Sequence, residues 1–262
     1  MLRVVSAAVL APLAIVIAYV GGWLFALFWG VVAIGVWREW SRLVAGQDRP
    51  FLVGVIAIAA AAVLGGAARP LWAVATIALG AILAAGLTLP DRRPWIAAGV
   101  AYAGALLLAP VTLRLDPNYG FLAIVFLFAV VWVTDIMAYF VGRAIGGHKL
   151  APRLSPNKTW SGALGGAAGA VLAAVAMTRA AGLENSVMIA LVGFALSLCS
   201  QAGDIFESAV KRRYGAKDAG QLIPGHGGLM DRLDGFVAAA LAAALLGVLR
   251  GGDAPARGLL VW

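Results

Sequence analysis

Five acids and five bases crowd into one short stretch of the chain. Asp204, Glu207, Asp218, Asp231 and Asp234 share residues 203–235 with Lys211, Arg212, Arg213, Lys217 and Arg232. All four lysines lie between Lys149 and Lys217, and both histidines, His148 and His226, fall in or beside the same loops. A passive helix bundle has no need of this concentration. Carboxylate oxygens suit Mg²⁺, which is usually held by one or two of them while substrate phosphates and water complete its shell. Lys and Arg neutralise charge that develops in phosphoryl or nucleotidyl transfer. The segment carries no net charge, which argues against a plain basic patch for nucleic acid. It fits alternating ligands for a polyanion bridged by a cation.

Helical spacing runs from Asp204 to Lys211, so Asp204, Ser208 and Lys211 share a face at i, i+4 and i+7. A tight loop follows, in which Pro224, Gly225, Gly227 and Gly228 let backbone approach a ligand closely. Asp231 and Asp234 then face one way where the next helix begins. Plainer readings stand beside these. Glu207–Lys211 reads as a surface i,i+4 ion pair, Arg213 as a solvated charge and His226 as a turn residue. Asp231 and Asp234 could serve the helix dipole.

The elements that position these residues are read from where charge is absent. Hydrophobic residues make up 63% of the 262 and charged residues 12%. An ordinary globular chain is nearer half apolar and a quarter charged, so lipid is the solvent indicated here. One cysteine, Cys199, permits no internal disulfide and no cysteine-rich metal site. Stretches without Asp, Glu, Lys or Arg run 4–37, 50–68, 70–90, 94–113, 117–134, 159–178, 185–203 and 235–249. A span needs about 20 residues. The first stretch is too long for one helix, and Gly21-Gly22 at its middle divides it in two. The expectation is an all-α polytopic membrane protein of about nine transmembrane helices with its N-terminus cytoplasmic. That orientation puts 15 basic residues on the cytoplasmic side and 5 on the other. Residues 1–113 form the N-terminal helices, about five spans. Residues 114–262 form a catalytic transmembrane region with cytoplasmic loops 141–158 and 204–234. Asp135, near the cytoplasmic end of its span, is an intramembrane acid and a functional candidate by default.

The pattern Ser208-x-x-Lys211-Arg212-x4-Lys217-Asp218-x5-Pro224-Gly225-His226-Gly227-Gly228-x2-Asp231-Arg232-x-Asp234 resembles the signature of the phosphatidate cytidylyltransferases, the CDP-diacylglycerol synthases. A second segment is also similar to that family: Asp135-x3-Tyr139-Phe140-x-Gly142-Arg143, Lys149 to Pro152, and Ser155-Pro156-Asn157-Lys158-Thr159-Trp160-x-Gly162. Ser161 stands where many relatives carry Glu or Gln and receives no catalytic duty. Ahead of residue 135 only Glu39-Trp40 hints at the family.

The resemblance implies transfer of CMP from CTP to phosphatidic acid, giving CDP-diacylglycerol and pyrophosphate for phospholipid biosynthesis. It also implies Mg²⁺ dependence, with room for a second cation, a homodimer, and residence in a bacterial inner membrane with the site facing the cytoplasm. No nucleic acid is expected. Asp204, Asp231 and Asp234 are the candidate metal ligands. Lys211, Arg212, Lys217, Asp218, His226 and Arg232 are the candidate catalytic residues. Asp135, Ser155, Asn157, Lys158, Thr159, Ser208, Gly227 and Gly228 are the candidate substrate-binding residues. Thr159 can cap the helix it opens, whose free N–H groups with Lys158 would form an anion site.

Three rivals are weaker. A CDP-alcohol phosphatidyltransferase would begin like Asp234-Gly235-Phe236-Val237-Ala238, but Ala239 stands where Arg is needed. A CTP-dependent lipid kinase would release CDP rather than pyrophosphate. A cation transporter would need several intramembrane charges, and only Asp135 is at depth.

Overall fold

The computed structural model describes residues 2–44, 48–183, 185–220 and 227–262. Pro224, Gly225 and His226 of the signature lie outside them. Without water in a bilayer core, every backbone polar group must be satisfied within the chain, and a helix does this within one segment. The described residues accordingly form ten helices and one small hairpin. The helices are α1 Leu2–Val20, α2 Gly22–Val44, α3 Asp48–Gly66, α4 Pro70–Gly86, α5 Arg93–Arg114, α6 Gly120–Ile145, α7 Trp160–Ala180, α8 Ser186–Arg213, α9 Met230–Gly251 and α10 Pro255–Leu260.

Six helices, α2 and α5 to α9, are long and apolar enough to cross a membrane. Shorter apolar helices occupy Ala11–Val20, Pro50–Gly66 and Pro70–Gly86, where three further spans are expected. The chain is therefore an all-α polytopic membrane protein. It divides into two compact units: residues 1–115 with 213–233, and residues 116–212 with 234–262.

In the first unit, the long N-terminal apolar stretch breaks at Gly21, where φ is +68°, a conformation that favours glycine. Arg114 fills the space beside Gly21, and its Nε and Nη2 donate to the carbonyls of Ala18 (2.6 Å) and Tyr19 (3.0 Å). It thus caps the C-terminal carbonyls of α1, where a cation also meets the negative end of the helix. Two tryptophans near the end of α2 fix its neighbours: Trp37 Nε1 donates to Phe51 O (2.9 Å) and Trp40 Nε1 to Trp95 O (2.8 Å). Gly54 and Gly99 leave room for those indoles.

In the second unit, α7 presents Gly162, Gly166 and Gly169 to α6, where any Cβ would strike Ala138, Thr134 or Met137. Such small residues let helices approach closely in lipid, where burial of apolar surface gives no drive to associate. The same device joins α8 to α9, with Gly203 against Asp234 O and Gly235 against Ser200. Asp116, buried, orders the turn that leads into α6 by accepting from Asn118 N and Tyr119 N (2.9 Å each), and its other oxygen accepts from Arg257 N of α10 (3.2 Å).

Loop 141–158 contains structure the hydropathy reading did not foresee. β1 Lys149–Ala151 and β2 Ser155–Thr159 pair antiparallel, with Lys149 opposite Thr159 and Ala151 opposite Ser155. The hairpin delivers the chain to α7 and sets Ser155, Asn157 and Lys158 on one short strand.

Candidate active site

The second unit holds the acids of three helices. α8 is 28 residues long, about 42 Å, and so exceeds a hydrocarbon core of about 30 Å. Asp204 falls about 27 Å from its start, and Asp135 about 22 Å from the start of α6. Both acids therefore lie along the last part of their spans. Their carboxylates interact electrostatically with each other, and each interacts with that of Asp234 on α9. Like charges so arranged disfavour one another's ionised form, and a nearby cation offsets this. Lys158 supplies one: its ammonium from β2 forms an ion pair with Asp204 Oδ2, and both side chains are about one-third exposed or less. Asp234 also accepts from Gly235 N (2.7 Å).

Thr159 caps α7 as expected. It has extended backbone (φ −121°, ψ 156°), and its Oγ1 accepts from Gly162 N (3.1 Å). Ser161 shares a hydrogen bond with Thr159 Oγ1 (3.0 Å) and donates to Gly146 O, tying the start of α7 to the end of α6. That duty is structural. Polar contacts continue along these spans: Thr134 Oγ1 donates to Ser197 Oγ (3.0 Å), and Gln201 Nε2 to Ala163 O (3.2 Å).

Glu207 and Lys211 pair as their spacing foretells, at 2.7 Å, but not on a solvated surface. Glu207 is fully buried, and the Lys211 side chain is only 12% exposed. This corrects the surface reading. The helical extension beyond Asp204 has an inward face, and Glu207 at i+3 from Asp204 turns onto it. Ser208 is half-buried, whereas Arg212 is exposed.

The first unit holds the rest of the signature. Asp231, second residue of α9, accepts at Oδ2 from Ala219 N and Gly228 N (3.0 Å each). It therefore clamps the loop beside Asp218 to the start of the helix, a use of its oxygens that its sequence position did not disclose. Gly227 adopts φ +84°, so the signature glycine is required by the backbone. Lys217, Asp218 and Arg232 are exposed. Arg213 is exposed too, but its guanidinium lies over the Trp95 ring, 4.8 Å from the centroid, so it is more than a solvated charge.

Sequence reasoning notes Glu39 only as half of the Glu39-Trp40 hint and assigns it no role. This acid is buried near the end of α2, and it accepts from Leu229 N (2.9 Å) and Met230 N (2.8 Å). The available signal was a single acid between Trp37 and Trp40 at the end of an apolar run.

Among the described residues, no three His, Cys, Asp or Glu side chains are grouped to hold a metal by themselves. A hard cation held by one or two carboxylates and substrate phosphates would need no such group. The acids of the second unit, with an ammonium already drawn to Asp204, have the oxygen chemistry that suits Mg²⁺.

Fold and charge pattern define a polytopic membrane protein with paired carboxylates and cations at the ends of its spans. The sequence model of the Cytidylyltransferase family matches residues 1–249. The chain is 43% identical over 250 residues to a phosphatidate cytidylyltransferase of Brucella abortus biovar 1 (strain 9-941), covering 94% of this chain and 93% of that one. It is 38% identical over 266 residues to the phosphatidate cytidylyltransferase of Pseudomonas aeruginosa, covering 90% and 93%. A Bacillus subtilis (strain 168) protein of the same name is 38% identical over 148 residues, 56% and 55% of the two chains. The chain belongs to the cytidylyltransferase family, and so to the nucleotidyltransferases.

Proposed function

We propose that this protein transfers CMP from CTP to phosphatidic acid in the membrane, forming CDP-diacylglycerol and pyrophosphate. The observation that carries the reading is full-length similarity, across both segments of the site, to relatives named phosphatidate cytidylyltransferase. The nucleophile is an oxygen of the lipid phosphate, anionic near neutral pH, so no Ser/His/Asp relay is required. It forms a bond to the α-phosphorus of CTP while the bond from that phosphorus to the bridging oxygen breaks, and the electron pair leaves on pyrophosphate. The protein's task is to hold two polyanions in line and to stabilise charge on the leaving group.

In this reading Asp204, Asp231 and Asp234 supply carboxylate oxygens to Mg²⁺, which when bound neutralises triphosphate charge. Lys158 is held by Asp204 before substrate arrives and is placed to turn to a phosphate. Lys211, Arg212, Lys217 and Arg232 are the remaining phosphate contacts, and His226 a hydrogen-bond donor. Asp135, Ser155, Asn157, Thr159, Ser208, Gly227 and Gly228 bind the lipid and nucleotide, and Asp218 beside Lys217 belongs to the catalytic set. Nine spans, a cytoplasmic N-terminus, a cytoplasmic site in a bacterial inner membrane and a homodimer complete the proposal. The lipid enters sideways because its tails stay in the bilayer.

The deciding experiment supplies purified protein in detergent with phosphatidic acid, Mg²⁺ and CTP labelled at the α- or γ-phosphate. The expected result is α-label in lipid and γ-label in pyrophosphate. γ-Label in the lipid, with CDP released, would establish a lipid kinase instead.

A further inference from the structure

Glu39 lies outside every signature motif, yet its carboxylate reaches the signature loop. It is 3% exposed, and among the described residues it makes no ion pair. Its two oxygens divide their work: Oε1 accepts from Leu229 N and Oε2 from Met230 N. Those are among the first N–H groups of α9, which have no partner within the helix and sit at its positive end. The cap comes from a residue 190 positions away rather than from the loop itself. The described residues on either side of residues 221–226 leave room for it. A Cβ on Gly220 would collide with the Glu39 carboxylate, and one on Gly228 with the carboxylates of both Asp231 and Glu39. Gly228 N in turn donates to Asp231, the residue that follows Met230. A buried carboxylate is costly to keep, and a plain helix cap could be had from a Ser, Thr or Asp within the loop. Glu39 does more than such a cap, because it ties the loop to α2.

We propose that Glu39 is a positioning residue for CMP transfer: by fixing the first turn of α9 against α2 it sets the direction in which Asp231 and Arg232 meet the nucleotide. The proposal rests on the reading of Asp231 as a metal ligand given above. Glu39 touches no substrate; it acts through the main chain of residues 229–230. Replacement by Gln keeps the shape but sets an NH₂ against one of the two N–H groups. The first turn of α9 must then shift or lose a bond. Misplacement of about 1 Å by a mutation away from the chemistry can lower rate by roughly 10²-fold.

The test compares Glu39→Gln, Glu39→Asp, Asp231→Asn and the double variant Glu39→Gln/Asp231→Asn as full-length protein in detergent. Each is assayed for kcat, for KM of CTP and of phosphatidic acid across a Mg²⁺ titration, and for melting temperature. Glu39→Gln is expected to lower kcat about 10- to 100-fold and raise the Mg²⁺ needed for half-maximal rate. KM for phosphatidic acid should stay within about twofold, and the defect should persist far below the melting temperature. The double variant should be little worse than Asp231→Asn alone, because both changes act on one element. If Glu39→Gln does not accumulate as folded protein, Glu39→Asp, which keeps the charge on a shorter arm, must show the same raised Mg²⁺ requirement. Wild-type kinetics in a folded Glu39 variant, or losses that multiply fully in the double variant, overturn the proposal. A damaged Asp231→Asn beside an unaffected Glu39→Gln removes Glu39 alone. An unaffected Asp231→Asn removes the metal reading, and the coupling with it.

Discussion

Glu207→Gln separates a surface pair from a buried one. By spacing alone Glu207–Lys211 is an exposed i,i+4 pair, and its loss should cost about 1 kcal/mol or less. In the structure the Glu207 side chain is 0% exposed, the Lys211 side chain is 12% exposed, and Nζ and Oε2 are 2.7 Å apart. Removing the carboxylate charge leaves the ammonium without that partner where water is largely excluded. Breaking a buried pair from one side costs about 3–5 kcal/mol. The small opening at Lys211 places this pair at the lower end, near 3 kcal/mol. For a chain of this length each kcal/mol moves the midpoint by about 2–4 °C, so a fall of about 6–12 °C is expected. The assay is thermal unfolding in detergent of Glu207→Gln, Lys211→Met and the double variant Glu207→Met/Lys211→Met. The double variant should recover most of the loss, because an apolar pair of similar volume often replaces a buried ion pair without penalty. It should still lack activity if Lys211 holds phosphate. A fall below about 2 °C for Glu207→Gln would refute the burial argument.

Asp204→Asn and Asp231→Asn should each lower turnover at saturating CTP by about 10²–10³, the usual cost of one charge-stabilising contact, and should alter the Mg²⁺ dependence. Near-wild-type titrations would return both to structural duty, with Lys158 and the loop N–H groups as their partners. In a Cys199→Ser background, a thiol reagent added from outside should label Arg257→Cys but not Ala216→Cys; labelling of both from one side would contradict a nine-span chain with a cytoplasmic N-terminus. Thr159→Val removes the cap of α7 and should cost about 1 kcal/mol, read as a small fall in melting temperature. An unchanged midpoint there would mean that Ser161 and the hairpin hold the helix start unaided.

Local pattern determined much of this protein. The membrane class follows from composition, and the break at Gly21 from the length of the first apolar stretch. The extension of α8 past Asp204 follows from helical spacing, and the cap at Thr159 from residue type just before an apolar run. Each is set within a turn or two of the chain, so a linear string records it. The signature residues too are legible as a set, because chemistry confines residue type more tightly than packing does.

The partners of those residues were decided by tertiary structure alone. Sequence spacing puts Glu207 beside Lys211 but does not say whether water reaches them; that depends on which helix covers the face. Sequence position makes Asp231 a metal ligand or a dipole partner, and its hydrogen bonds to Ala219 and Gly228 depend on those two residues lying beside the start of α9. Residue type makes Lys158 half of an anion site, but its ion pair with Asp204, across 46 positions, depends on the hairpin that carries it there. Glu39 is the extreme case, since its two acceptors meet donors 190 and 191 residues away. Burial and long-range hydrogen bonding depend on which surfaces the folded chain brings together, and no periodicity within one segment encodes that choice.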